Sequence, residues 1–249
     1  MHKTTIDAWL ASSNPALRAV ARTLRLAGAA RRFVMNPQVR SEQMTRLLNR
    51  NQHLQGATYT RADRYPELFA ACRDQLAGIP APRLLSFGCA TGEEAFTLAR
   101  YLPNAEILGV DINRWCLKQC MHNNTNPKLR FVHGTDPAFA SATAFDAIFA
   151  MAVFQRTEHR LEQITEITGG FTFERFEAEV AALDRRLNVG GMLFLGESDF
   201  CFIDTATAAR YAPMMFEGNE IVEQRPLFGP DNRFVTSEYR VARGFRKVG

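Results

Sequence analysis

The chain has 249 residues, 46% of them hydrophobic, with 30 Lys and Arg against 26 Asp and Glu for a formal net charge of +4. That length suits one large domain, or one domain with a small companion, and the apolar content suffices for a real core. No run approaches the ~18 apolar residues of a membrane span, no continuous apolar segment follows the first charges as a secretory signal requires, and the five scattered cysteines, Cys72, Cys89, Cys116, Cys120 and Cys201, read as reduced thiols of a cytoplasmic protein.

The first 78 residues read as helices broken at Asn14-Pro15, Asn36-Pro37 and Gly56. Residues 1–50 hold nine cations (Lys3, Arg18, Arg22, Arg25, Arg31, Arg32, Arg40, Arg46, Arg50) against Asp7 and Glu42, a local excess of +7. Arg18, Arg22 and Arg25 share a helix face opposite Leu17, Val20 and Leu24, so Asn14-Pro15 is expected to open a basic amphipathic helix. Such a helix is either a solvated cap over a ligand site or a surface for an acidic partner: protein, anionic lipid or, least expected, nucleic acid. Gly78-Ile79-Pro80-Ala81-Pro82 is a stiff linker, which places a domain boundary between a helical segment, 1–78, and a core, 79–249.

Immediately after the linker comes LLSFGCATGEEAF, Leu84 to Phe96. Arg83 to Phe87 has the length and apolar density of a buried parallel strand, and Ala95, Leu98, Ala99 and Leu102 recur at helical spacing. A strand turning directly into a helix leaves a crevice at its carboxyl end, where ligands sit in open α/β sheets. Gly88 and Gly92 let backbone approach such a ligand. Their G-x-x-x-G spacing, with Cys89 and Ala90 where a second glycine would lie, departs from the dinucleotide pattern G-x-G-x-x-G. Ala105 to Val110 reads as a second strand ending in Asp111, placed to accept hydrogen bonds from ribose hydroxyls. Leu129 to Asp136 supplies a third strand ending at another acid. Two strand-end acids and a glycine turn suit a nucleoside ligand without a pyrophosphate.

Strand and helix then alternate as far as Gly196, which argues for a parallel sheet with right-handed crossovers. Phe145 to Phe154 reads as the fourth strand and the loop after it, Thr172 to Asn188 as a helix amphipathic through Phe173, Phe176, Val180, Leu183 and Leu187, and Leu187 to Gly196 as a glycine turn and fifth strand. Glu220 to Glu223 and Phe234 to Phe245, around Gly229-Pro230-Asp231-Asn232, suggest a terminal antiparallel hairpin. No G-x-x-x-x-G-K-[ST] or G-x-S-x-G pattern occurs, which argues against NTPase and hydrolase chemistry. Cys116, Cys120 and His122 fall close together with no second ligand cluster, so no metal site is expected.

In the order of these elements the chain resembles the class I S-adenosylmethionine-dependent methyltransferases. The resemblance implies a doubly wound, mostly parallel seven-stranded sheet of Rossmann-like type and S-adenosylmethionine as cofactor. It places the glycine turn, Gly88, Ala90 and Gly92, under the methionine portion, Asp111 and Ile112 at the ribose, Asp136 at adenine, and Met151 at the end of strand four beside the cofactor. Phe154, Gln155 and Arg156, with Tyr65 from the helical segment, would face the methyl acceptor.

A narrower resemblance is to the chemotaxis-receptor methyltransferases, which methylate protein glutamates. It rests on GCATGEEAFTLA, with Ser86 and the pair Glu93-Glu94, and on Thr58-Tyr59-Thr60-Arg61 before the core. It implies cofactor contacts from Thr58, Arg61 and Glu94. Ala150 to Arg156 departs from that family's run after strand four, and no room is evident for its small β insertion, so the expected acceptor is a small molecule (O- or N-methylation), with a protein carboxylate as alternative and a non-catalytic cofactor-binding sensor as a further one. Methyl transfer needs alignment more than covalent help. Where the acceptor must lose a proton, His159 and Glu197 are the weak candidates for a base, with Glu158 and Asp199 beside them.

Overall fold

Alternate residues of the central strands point to opposite faces, and both faces here are apolar. A computed structural model describes residues 3–48, 60–156, 159 and 164–249. Its main sheet is built from β1 (Arg83–Phe87), β2 (Glu106–Asp111), β3 (Leu129–His133), β4 (Phe145–Met151), β5 (Leu187–Gly196), β6 (Tyr211–Pro213) and β11 (Gly244–Lys247). Their order is β3-β2-β1-β4-β5-β11-β6, parallel from β3 through β5, with β11 antiparallel to both neighbours. Leu85, Ile148, Ala150, Leu193 and Leu195 go to one side of this sheet, while Leu84, Ala147, Phe149, Met192 and Phe194 go to the other. Two buried layers explain why the strands read as unbroken apolar runs.

Helices cover both layers. On one side lie α4 (Pro66–Gln75), α5 (Glu93–Tyr101) and α6 (Arg114–Asn123), which bury Leu68, Phe69, Cys72, Leu98 and Cys120 against Phe149 and Phe194. The rings of Phe149 and Phe194 stack at 4.4 Å across adjacent strands. On the other side are the one-turn α7 (Pro137–Ala140) and α8 (Phe173–Asp184), whose Phe173, Phe176, Val180 and Leu183 pack with Phe154, Phe171, Phe200 and Phe228. Before the core run α1 (Lys3–Leu10), α2 (Pro15–Met35) and α3 (Pro37–Leu48), broken at Asn14-Pro15 and Asn36-Pro37 as their capping chemistry dictates. Asn14 caps α2 by accepting from the Ala16 amide at 2.9 Å. The break expected at Gly56 lies outside the described residues.

Three expectations are corrected. The helix read to Asn188 ends at Asp184, because the Asp184 carboxylate is held by Arg210, Tyr211 (2.9 Å) and Lys247 (3.1 Å) and the chain is already a strand from Leu187. The tail is not one hairpin: β7 (Glu220–Glu223) pairs with β10 (Tyr239–Ala242), β8 (Leu227–Phe228) pairs with β9 (Phe234–Thr236), and β11 returns to the main sheet. Residues 214–243 are therefore a small β insertion between β6 and β11, where no room for one was evident. Buried Asn219 closes its base, donating to Met214 O (2.6 Å) and accepting from the amides of Arg243 and Gly244 (3.1 and 2.6 Å).

Candidate active site

The carboxyl ends of β1, β2, β4 and β5 converge where the strand order reverses between β1 and β4, the usual ligand crevice of such sheets. Backbone strain concentrates there. Ala90 after β1, Ala152 after β4 and Glu197 after β5 all have left-handed φ, of 47°, 60° and 52°, a conformation costing roughly 1–2 kcal/mol for a residue with a Cβ. Gly92, at φ 95°, opens α5; a Cβ there would stand 2.8 Å from Phe96 Cε2 and 3.1 Å from Cys120 Sγ.

The turn is shaped by an acid across the strand. Asp111 accepts from the Ala90 amide through Oδ2 (2.8 Å) and from the Asn113 amide through Oδ1 (2.7 Å). Each oxygen keeps a lone pair for a hydroxyl donor. Burial pushes the Asp111 carboxyl up to about 6, against the opposing pull of those amides. Glu94, on the first turn of α5, folds back so that Ser86 Oγ donates to its Oε1 at 2.7 Å. Burial raises it to about 7, with Ser86 and the Arg64 charge acting the other way. A carboxylate so placed gains most from a cationic ligand group, which restores its ionised form. Glu93 is instead bonded by Thr91 Oγ1 at 2.7 Å, an ordinary first-turn contact.

The wall at the ends of β4 and β5 was not legible as a unit. Glu197 accepts from Arg64 Nη2 (2.6 Å), from the Tyr65 hydroxyl (2.8 Å) and from Arg225 Nη2. Arg225 also reaches Gln155 Oε1 and pairs with Glu223 at 3.2 Å. One carboxylate thus joins the segment before α4, the end of β5 and the β insertion. Burial and the Glu197 charge raise the Tyr65 hydroxyl well above its ordinary range, so it stays a neutral donor.

The expected site residues separate on this frame. Gly88, Ala90, Gly92, Glu94, Asp111 and Ile112 gather around the turn, Met151 is buried at the end of β4, and Tyr65, Gln155 and Glu197 meet at the wall. Arg61 is exposed, and its neighbour Arg64 enters the wall. Thr58, Tyr59 and Glu158 lie outside the described residues. Asp136 caps α7, accepting from the Ala138 amide at 2.8 Å. Phe154, expected at the acceptor, is a core residue: fully buried, its ring packs on Phe87, Phe171 and Phe176, because an aromatic at that point completes the layer beneath α8. His159 is buried with Nδ1 held by Asp199 Oδ2 at 2.6 Å, and the same oxygen accepts the Arg156 amide at 2.8 Å. That pair fastens the loop after β4 to the end of β5. Sequence reasoning missed Ser86 as the partner of Glu94, and Arg64, Glu223 and Arg225; Arg225 lies 70 positions from Gln155, and no local pattern marks it. Among the described residues no cluster of His, Cys, Asp and Glu could hold a metal ion, and no helix is long and apolar enough to cross a membrane.

Residues 84–168 match the family model described as "Methyltransferase domain". The sheet is of the doubly wound, mostly parallel Rossmann-like type. Among curated proteins, the trans-aconitate 2-methyltransferase of Afipia carboxidovorans is 31% identical over 101 residues, 39% of this chain and 39% of that protein. The chain thus spans about two-fifths of the length of the curated relatives it matches. Solved structures with a similar chain path include the precorrin-6y C5,15-methyltransferase of Geobacter metallireducens (15% identity, 76% of this chain and 90% of that one, TM-score 0.41). The plantazolicin methyltransferase in complex with SAH has 16% identity over 67% of this chain and 56% of its own, with a TM-score of 0.38.

Proposed function

We propose that this chain is an S-adenosylmethionine-dependent methyltransferase whose acceptor is a small carboxylic acid, methylated on oxygen. The observation that carries the cofactor reading is the Asp111 carboxylate, at the end of β2, bonded to the turn amide of Ala90 while keeping lone pairs for ribose hydroxyls. Gly88 and Gly92, where a Cβ would strike Val153 and Phe96, let the turn fold tightly at the crevice, and Glu94 would take the ammonium group of the methionine portion. When bound, the cofactor supplies an activated methyl on sulfonium sulfur. The protein's own residues hold the nucleophile in line with it and keep water out.

The acceptor reading rests on the wall. Arg64 gives only Nη2 to Glu197, which leaves the rest of its guanidinium, the planar fork that best matches carboxylate, for an acceptor, while Tyr65 and Arg225 hold Glu197 in place at the end of β5. A carboxylate acceptor is already ionised near neutral pH and gives up no proton on methylation, so no general base is required. That accords with His159 being occupied by Asp199 rather than directed at the crevice. The curated relatives named for trans-aconitate point to the same acceptor chemistry.

The test is transfer of labelled methyl from S-adenosylmethionine to a panel of small di- and tricarboxylic acids, with amines and a protein extract alongside. Base-labile label in a small acid is expected. Label confined to protein glutamate would favour the chemotaxis-like alternative, and cofactor binding without transfer to anything would favour a sensor. Absence of calorimetric binding by both S-adenosylmethionine and S-adenosylhomocysteine would sink the whole reading.

A further inference from the structure

Twenty-one residues of α2 bury a single side chain, Ala21. A helix of that length in a globular protein normally buries a full apolar stripe, and α2 has one to bury. At helical spacing Val20, Leu24, Val34 and Met35 fall on one side about 100° wide, and all four are exposed, Val34 and Met35 by 65% and 72%. Arg18, Arg22, Arg25 and Arg32 occupy the opposite face, Arg31 falls within the stripe, and the helix contains five arginines and no acid. The surface continues without a break into a second basic feature. Arg40 Nη1 donates to Val34 O at 3.2 Å, and Arg40 lines a cavity of about 460 Å³ between α3 and α6, with Ser41, Met44, Arg114, Trp115 and Lys118. Three cations, an exposed methionine and a tryptophan line it with no acid among them.

We propose that α2 and the α3–α6 groove form a docking surface for an anionic lipid bilayer, with α2 lying in the interface and the groove receiving a phosphate headgroup. Charge complementarity and the stripe together select this occupant. An amphipathic helix that is polar on balance, with arginines gathered on the face opposite its apolar stripe, is the kind that lies in a membrane interface, and the long side chain of Arg31, within the stripe, would reach up to the headgroups. Nucleic acid would meet the arginines and leave the apolar stripe in water. An apolar protein surface would meet the stripe and leave five arginines without counter-charge. The surface is tied to the cofactor end of the core, since Ser41 Oγ on α3 donates to Asn113 Oδ1 at 2.6 Å, and Asn113 is the residue whose amide holds Asp111.

The test is flotation of the full chain with vesicles of phosphatidylcholine alone or mixed with phosphatidylglycerol, at low and high salt. Binding to the anionic vesicles only, weakened by salt over a Debye length of about 10 Å at 0.1 M, is the expected result. Arg22→Gln and Arg25→Gln should each weaken partitioning about fivefold, since a cation near an anionic surface contributes ~1 kcal/mol. Val20→Glu with Leu24→Glu should abolish it. These residues are exposed, so unchanged circular dichroism and cofactor affinity identify loss of docking rather than of fold. No binding to anionic vesicles would overturn the proposal, as would binding that the α2 variants leave unchanged. So would a chain that ignores vesicles but dimerises or retains nucleic acid through the same arginines.

Discussion

Cofactor affinity should depend on pH through Glu94. Its carboxyl is raised by burial to about 7, against an ordinary carboxylate value of 4.5. In the free protein at pH 6 Glu94 is therefore mostly protonated and at pH 8 mostly ionised. A ligand ammonium binds the ionised form, so binding releases a proton wherever the free protein still holds one. At that raised value, ionisation scales apparent affinity by a factor of about 11 between fully ionised and pH 6, and by only about 1.1 at pH 8, so affinity should fall roughly tenfold from pH 8 to pH 6. Asp111, raised to about 6, should add a further factor of about 2 at pH 6 if its ionised form is the better acceptor for hydroxyls. Folding carries the opposite sign: the unfolded chain loses the Glu94 proton first, so the free protein should lose stability as pH rises from about 4.5 to about 7 and level off above. The assay is calorimetric titration with S-adenosylhomocysteine at pH 6, 7 and 8 in buffers of different ionisation enthalpy, repeated on Glu94→Gln. A slope that flattens in the variant, with proton release in the native chain near pH 7, is expected. A pH-independent affinity with no buffer dependence would refute the assignment of Glu94 to the ammonium group.

Asp111→Ala should weaken cofactor binding at least tenfold, about 1.4 kcal/mol; an unchanged dissociation constant would end its role at the ribose. Gly92→Ala places a Cβ 2.8 Å from Phe96 at a φ of 95°, so unfolding midpoints should show a loss of about 1–3 kcal/mol, and a neutral variant would mean the turn relaxes freely. Glu197→Gln removes the charge that Arg64 and Arg225 share. It should raise acceptor KM while leaving cofactor affinity within about twofold, as residues outside the ribose and ammonium contacts leave ground-state cofactor binding alone; the reverse split would place Glu197 on the cofactor.

The order of elements from Arg83 to Gly196 was legible because buried parallel strands and their covering helices write their periods into a few consecutive residues. The glycine turn and Asp111 were legible for a related reason: each depends on backbone conformation or strand-end position, both local properties. Phe154 was misplaced because an apolar residue in a loop after a strand carries no sign of which way it turns, and packing under α8 decides that. The ends of the chain were harder still. The entry of β11 between β5 and β6 pairs segments tens of residues apart, and the two-to-four-residue strands of the insertion, residues 214–243, are too short to show a period.

What the sequence determined by itself is therefore the scaffold and one side of the crevice: parallel strands, a glycine turn and an acid one strand over, each set by interactions within a few residues. Only the tertiary structure decided the facing wall, at the ends of β4 and β5. Glu197, Arg64, Tyr65, Gln155 and Arg225 come from four separate parts of the chain, and a charge cluster of that kind is created by the folded arrangement of elements. Tertiary packing likewise decided that α2 keeps its stripe exposed, because burial depends on what the rest of the chain brings against a helix and not on the helix alone.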